Sequence, residues 1–254
     1  MSIRFENVSK SFGSRIILDQ VSFQVEDGEI LFILGKSGMG KSVTLKHIIG
    51  VLKPDSGRIW VDSMEVSAMH GDQGEALSEI RKKCGMVFQH PALIDSLTNF
   101  ENIAFGLKRE IGDAEIERIV HEKLSLVHLN PEILPLYPYE VSYGVQKRVS
   151  MARTLAPEPD YLLFDEPTTG LDPLSTHSIN QLIYELSRKL NVTSIIVSHD
   201  MACALSVADQ ILFLDQGKIL LMAPPKEVIQ SEIPLVRDFF SETIELLPPG
   251  WSPE

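Results

Sequence analysis

The stretch Gly35-Lys36-Ser37-Gly38-Met39-Gly40-Lys41-Ser42 constrains the fold more than any other. It satisfies the phosphate-cradling pattern G-x-x-x-x-G-K-[ST] at every fixed position. Before it runs Glu29-Ile30-Leu31-Phe32-Ile33-Leu34, an apolar run of the kind buried in a parallel sheet. After it, Val43-Thr44-Leu45-Lys46-His47-Ile48-Ile49-Gly50 places apolar residues at helical spacing and ends on a glycine. Strand, glycine loop and helix together let backbone N–H groups converge on phosphate oxygens, and the helix N-terminus adds partial positive charge. Lys41 is the residue to reach β- and γ-phosphates, and the Ser42 hydroxyl the one to ligate Mg²⁺.

Upstream, Ile3-Arg4-Phe5-Glu6-Asn7-Val8 alternates apolar and polar as a half-buried strand does. Ser9 to Ser14 reads as a turn. Ile16-Ile17-Leu18 and Val21 to Val25 follow as strands, and Asp27-Gly28 is a hairpin-turn dipeptide. These segments predict an antiparallel β layer ahead of the glycine-loop strand. Phe12, just before Gly13, offers a ring that either stacks on a nucleotide base or packs locally.

Downstream, Cys84-Gly85-Met86-Val87-Phe88 is an apolar strand that ends at Gln89, a residue able to hold water or complete a Mg²⁺ shell beside a phosphate site. Residues 97–129 turn helical, and Pro131, Pro135 and Pro138 mark a boundary, so residues 90–140 form a helical insert. Ser142 caps a helix running to Pro157. Tyr161-Leu162-Leu163-Phe164-Asp165-Glu166 is a buried strand delivering two carboxylates to the sheet's C-terminal edge, where open α/β sheets bind ligands. Asp165 suits a Mg²⁺ contact, and Glu166 suits the general base that acts on an attacking water. Thr193 to Val197 is another buried strand, and it ends beside His199, a candidate to contact a γ-phosphate or the water. Residues 211–221 read as a hairpin about Gln216-Gly217, residues 226–240 as helix, and Leu247 to Glu254 as a Pro-rich tail, irregular or docked on a partner.

The net charge of −12 argues against nucleic acid as a partner of the bulk surface. Cys84 and Cys203 stand far apart without metal-ligand spacing, as idle thiols in a reducing compartment do. The first residues carry no basic-then-apolar signal pattern, and no apolar run approaches the roughly 18 residues of a spanning helix. The expectation is a cytoplasmic protein whose membrane role, if any, comes through a partner.

Taken in order, Lys41, Gln89, the Ser142 helix start, Asp165-Glu166, Asp172 and His199 resemble the nucleotide-binding subunit of an ABC (ATP-binding cassette) transporter over roughly residues 1–230. The resemblance implies an α/β fold with a P-loop NTPase parallel sheet core, an N-terminal antiparallel β layer and a helical subdomain at about 90–157, within an ATPase domain of residues 1–240 and a tail at 241–254. It implies ATP and Mg²⁺ as cofactors. Phe12 takes the place of the A-loop aromatic on adenine. Gly35, Lys36, Ser37, Gly38, Met39, Gly40, Lys41 and Ser42 form the Walker A loop, with Val43 next to it. Gln89 is the Q-loop residue, Asp165 and Glu166 the Walker B pair, Asp172 a D-loop residue and His199 the switch histidine. Metal contacts fall to Ser42, Gln89 and Asp165, and catalysis to Glu166, His199 and Lys41. The signature motif, commonly L-S-G-G-Q, is Val141-Ser142-Tyr143-Gly144-Val145 here. Ser142 and Gly144 are kept for capping the ATP of a second protomer, whereas Tyr143 stands where the family has glycine.

A narrower resemblance lies in Asp95-Ser96-Leu97-Thr98-Asn99-Phe100-Glu101-Asn102, which is similar to a D-S-L-T-x-x-E-N stretch of the Mla-type ATPases that serve Mce (mammalian cell entry) permeases. The loop variant ending Lys41-Ser42-Val43 and the apolar Val145 are similar to theirs too. This implies a homodimer on an integral-membrane permease, an Mce-type lipid-binding subunit, phospholipid as cargo, and a place on the cytoplasmic face of the inner membrane. The rivals are an amino-acid or ion importer ATPase and a non-transport ABC ATPase.

Overall fold

The computed structural model describes residues 2–69, 74–107 and 111–246. The tail Leu247 to Glu254 lies outside them. In chain order the elements are β1 (Ile3–Phe12), β2 (Arg15–Val25), β3 (Ile30–Leu34), α1 (Lys41–Ile48), β4 (Ser56–Val61), β5 (Met64–Glu65), α2 (Gly74–Lys83), β6 (Cys84–Val87), α3 (Asn99–Ala104), α4 (Asp113–Leu126), α5 (Tyr143–Leu155), β7 (Tyr161–Asp165), α6 (Pro173–Leu190), β8 (Thr193–Val197), α7 (Met201–Val207), β9 (Gln210–Asp215), β10 (Lys218–Ala223), α8 (Pro225–Val228) and α9 (Pro234–Leu246). They fall into two compact units, one of residues 1–81 with 192–254 and one of residues 82–191.

The first unit carries the antiparallel layer, in the order β2-β1-β4-β5. Ile3, Phe5 and Val8 of β1 are buried, and the step from odd to even numbering marks a bulge. Asn7 adopts φ 49° there, its amide donating to the Ser22 hydroxyl, so the apolar phase shifts by one without exposing the core. Phe5 and Phe23 stack across the pair at 4.5 Å. The alternation thus announced the strand but not its length. Ser9 to Phe12 continue it, paired as far as Phe12 with Arg15, and the turn is confined to Gly13-Ser14.

The same unit holds the parallel core, with β3 between β8 and β9 and β10 antiparallel on β9. Every residue of β3 and β8 is buried, which explains their unbroken apolar runs. Asp27-Gly28 turns the chain, as expected, but not into a hairpin. β2 pairs with β1 while β3 pairs with β8 and β9, and the Gly28 amide is satisfied by the Thr193 hydroxyl. The hairpin at Gln216-Gly217 does form, with both residues at positive φ. Residues 226–240 are two helices rather than one. Pro234 opens α9, lacks an amide hydrogen and disfavours helical backbone at Ile233, so the chain breaks before it. α9 then runs on to Leu246, past the expected boundary at 240.

In the second unit β6 and β7 pair in parallel, Val87 beside Phe164. α3, α4 and α5 pack together, and α5 packs on β6. The helical stretch 90–157 lies within this unit beside both strands and α6. Cys84 and Cys203 are buried and outside any disulfide, and burial pushes the Cys203 thiol up, so it is a poor nucleophile.

Candidate nucleotide site

In the first unit the glycine loop leaves the C-terminal end of β3 and enters α1. Gly35, Gly38 and Gly40 have φ of 151°, 79° and 99°. A Cβ on Gly35 would stand 2.2 Å from the Leu214 carbonyl oxygen, and one on Gly40 2.8 Å from that of Ile17. The loop is therefore wedged between β2 and β9 with room for hydrogen atoms alone. Gly35→Ala is expected to destabilise the fold by about 2–4 kcal/mol, read by urea denaturation. A loss under about 0.5 kcal/mol would show that the loop relaxes freely.

Lys41 is buried at the first position of α1. Its ammonium donates to the carbonyls of Gly35 at 2.7 Å and Lys36 at 3.2 Å, which holds the charge inside the loop's curve. Lys36 and Ser37 are exposed, and Met39, Ser42 and Val43 half-buried. Exposed loop residues, a buried cation and a helix start make a cradle that fits a nucleotide polyphosphate. Phe12 is 49% exposed beneath the Lys10 ammonium, 5.4 Å from its ring centre. Its strand partner Arg15 donates to the Gly38 carbonyl at 3.1 Å, which ties the Phe12 hairpin to the loop. Sequence reasoning missed Arg15, since nothing local distinguishes it from any hairpin cation. His199 follows β8. Ile33 and Val197 are in register, so counting two residues on brings His199 level with Gly35 on one sheet edge. It is exposed, and the next residue, Asp200, caps α7 through the Cys203 amide at 2.9 Å.

In the second unit the Val87–Phe164 register sets Gln89 and the acidic pair at the same strand ends. Asp165 is buried and Glu166 half-buried. Glu166 has φ 48°, an uncommon conformation for a residue with a side chain, and its carbonyl accepts from the Thr169 amide. Gln89 exposes its side chain while its backbone carbonyl accepts from the Lys147 ammonium. Asp172 has a structural duty as the cap of α6, and the Ser175 hydroxyl and amide hold its carboxyl below the usual range. Ser142 caps α5 through the Val145 amide. Tyr143 sits at ordinary negative φ, so the backbone does not require glycine there. A Cβ on Gly144 would meet nothing nearer than Leu171 at 4.0 Å, so no neighbour in this chain demands that glycine. An open cleft of about 310 Å³ lies beside it, lined by Ser142, Val145 and Leu174.

The Asp95–Asn102 stretch turns out to build its own loop. Thr98 and Glu101 form a capping box on α3. Buried Asn102 accepts from the Ile94 amide and donates to the carbonyls of Ile94, Leu97 and Thr98. Asn99 reaches the Ile133 carbonyl at 2.9 Å.

Within the first unit the glycine loop between a buried strand and a helix, with a buried lysine at the helix start, has the form of a P-loop nucleotide-binding protein. The ABC transporter family model matches residues 18–169, and the chain belongs to that family. Among curated relatives, the intermembrane phospholipid transport ATP-binding protein MlaF of Haemophilus influenzae is 38% identical over 91% of this chain and 86% of its own. The probable sulfate/thiosulfate import ATP-binding protein CysA of Chlorella vulgaris is 38% identical over 90% and 93%. The probable ribonucleotide transport ATP-binding protein Mkl of Mycobacterium tuberculosis is 36% identical over 95% and 67%. Among solved structures, CbiO1 of Clostridium perfringens, part of the CbiONQ transporter, superposes with TM-score 0.82 at 28% identity over 96% of both chains. The dimeric cassette MJ0796, bound to ADP and Pi after hydrolysis, gives 0.78 at 31% identity over 88% of this chain and 98% of that one. This chain is accordingly the ATP-binding and ATP-hydrolysing subunit of an ABC transporter. Among the described residues no helix is long and apolar enough to cross a membrane.

Proposed function

We propose that the chain powers phospholipid movement between bacterial membranes, as a homodimer seated on an integral-membrane permease with an Mce-type subunit, at the cytoplasmic face of the inner membrane. The observation that carries this reading is the likeness to MlaF across 91% of the chain. The Asp95–Asn102 stretch supports it. CysA is as similar, so sulfate or another small-solute import is the second reading. Purification of the tagged chain from its native membrane, with mass spectrometry of proteins and extracted lipids, decides between them. A permease with a single-anchor Mce protein and bound phospholipid is expected, and a small-solute permease overturns the proposal.

In this reading Lys41 and the amides of residues 36–42 bind the phosphates, and Phe12 stacks on the base. Ser42, Asp165 and Gln89 would hold Mg²⁺, which would supply positive charge to the phosphate oxygens. Glu166 accepts the proton of the attacking water, and His199 holds the γ-phosphate side in place. Ser142 and Gly144 of a second copy close over the nucleotide, which gives Gly144 the external reason its own surroundings lack.

A further inference from the structure

Helix α5 holds the strand-end loop after β6 through two cations: Lys147 donates to the Gln89 carbonyl, and Arg153 to those of Pro91 at 3.1 Å and Ala92 at 2.8 Å. Both cations are spent on backbone carbonyls. Lys147 is wholly buried, and desolvation draws its ammonium down to about 8, so at neutral pH it is still mostly charged and donating. Burying an ammonium costs free energy unless its hydrogen bonds are specific, so a lysine here is a poor choice for packing alone.

The same helix begins with the departure from the common signature. The Tyr143 ring lies 5.4 Å from the Lys147 nitrogen. Its hydroxyl is 3.3 Å from Nδ1 of His90, the residue after Gln89. A Cβ on Gly170 would stand 3.2 Å from the ring, so the tyrosine also lies against the turn after Glu166.

We infer that Lys147 is a positioning residue that locks the signature helix to Gln89, with Tyr143 as a strut, so that a displacement of either end is felt at the other. The inference rests on the proposed role of Gln89 in hydrolysis. The anchored carbonyl fixes where the exposed Gln89 side chain begins, and a misplacement of about 1 Å is enough to slow a positioned reaction.

The test is a double-mutant cycle in the purified chain, following kcat, ATP affinity and thermal midpoint. Lys147→Met is expected to lower kcat about tenfold while ATP affinity changes less than about twofold. Lys147→Gln, which keeps a donor, should fall between it and the parent. In a Gln89→Ala background Lys147→Met should add little, because the side chain it positions is gone. Unchanged kcat in Lys147→Met overturns the inference, as does its full effect persisting beside Gln89→Ala, or a fall in kcat only in proportion to lost affinity and midpoint. Normal turnover of Gln89→Ala by itself removes the role of Gln89, and this inference with it, and so identifies which reading failed.

Discussion

Glu166→Gln leaves ATP binding intact and slows hydrolysis by about 10²–10⁴-fold. The substitution keeps the shape and hydrogen-bonding reach of the side chain and removes its ability to take a proton. The backbone gives reason to expect a clean effect. Glu166 holds φ 48°, and its carbonyl is fixed by the Thr169 amide, so the loop presents whichever side chain stands there in the same direction. Asp165, the last residue of β7, is buried, whereas Glu166 just beyond the strand end is half-buried. Turnover within about threefold of the parent, with ATP bound normally in calorimetry, would take Glu166 out of the proton-accepting role.

Lys41→Ala weakens ATP binding by about 10²-fold or more, the loss expected when a charge-assisted contact to phosphate is removed from a buried site. The ammonium is held in the curve of the loop by the Gly35 and Lys36 carbonyls, so it contributes preorganised charge without a search through rotamers. The Gly35 carbonyl loses the ammonium in the variant, while that of Lys36 keeps the Met39 amide at 3.4 Å, and some fall in thermal midpoint is expected alongside. Saturation with ATP separates the two effects. A stable variant with unchanged affinity by calorimetry would count against the cradle, whereas a folded variant that no longer binds supports it.

Much of the candidate nucleotide site was legible as a proposal because its chemistry is written in short spacings. The glycine pattern, the acids closing an apolar run and the histidine closing the next each depend on residues within about ten positions. The structure adds that the glycines are required by contact, with Leu214 and Ile17 backbone atoms filling the places of side chains. Sequence reasoning also found the capping residue Ser142, since a cap is a local device, but it read Asp172 as a D-loop residue and did not foresee its cap on α6.

What the sequence by itself determined is the strand–loop–helix cradle, the acidic strand end and the family, because these depend on periodicity and spacing along the chain. The tertiary structure decided which partners distant segments found. Asp27-Gly28 leads from one sheet to another because β3 finds β8 and β9 rather than β2. Asn102 acts as a clamp for the loop it belongs to, and Lys147 lies inside the fold although polar residues usually face water. Burial of a polar group is decided by the elements that close over it and by the carbonyls they bring, and neither is encoded in its immediate neighbours.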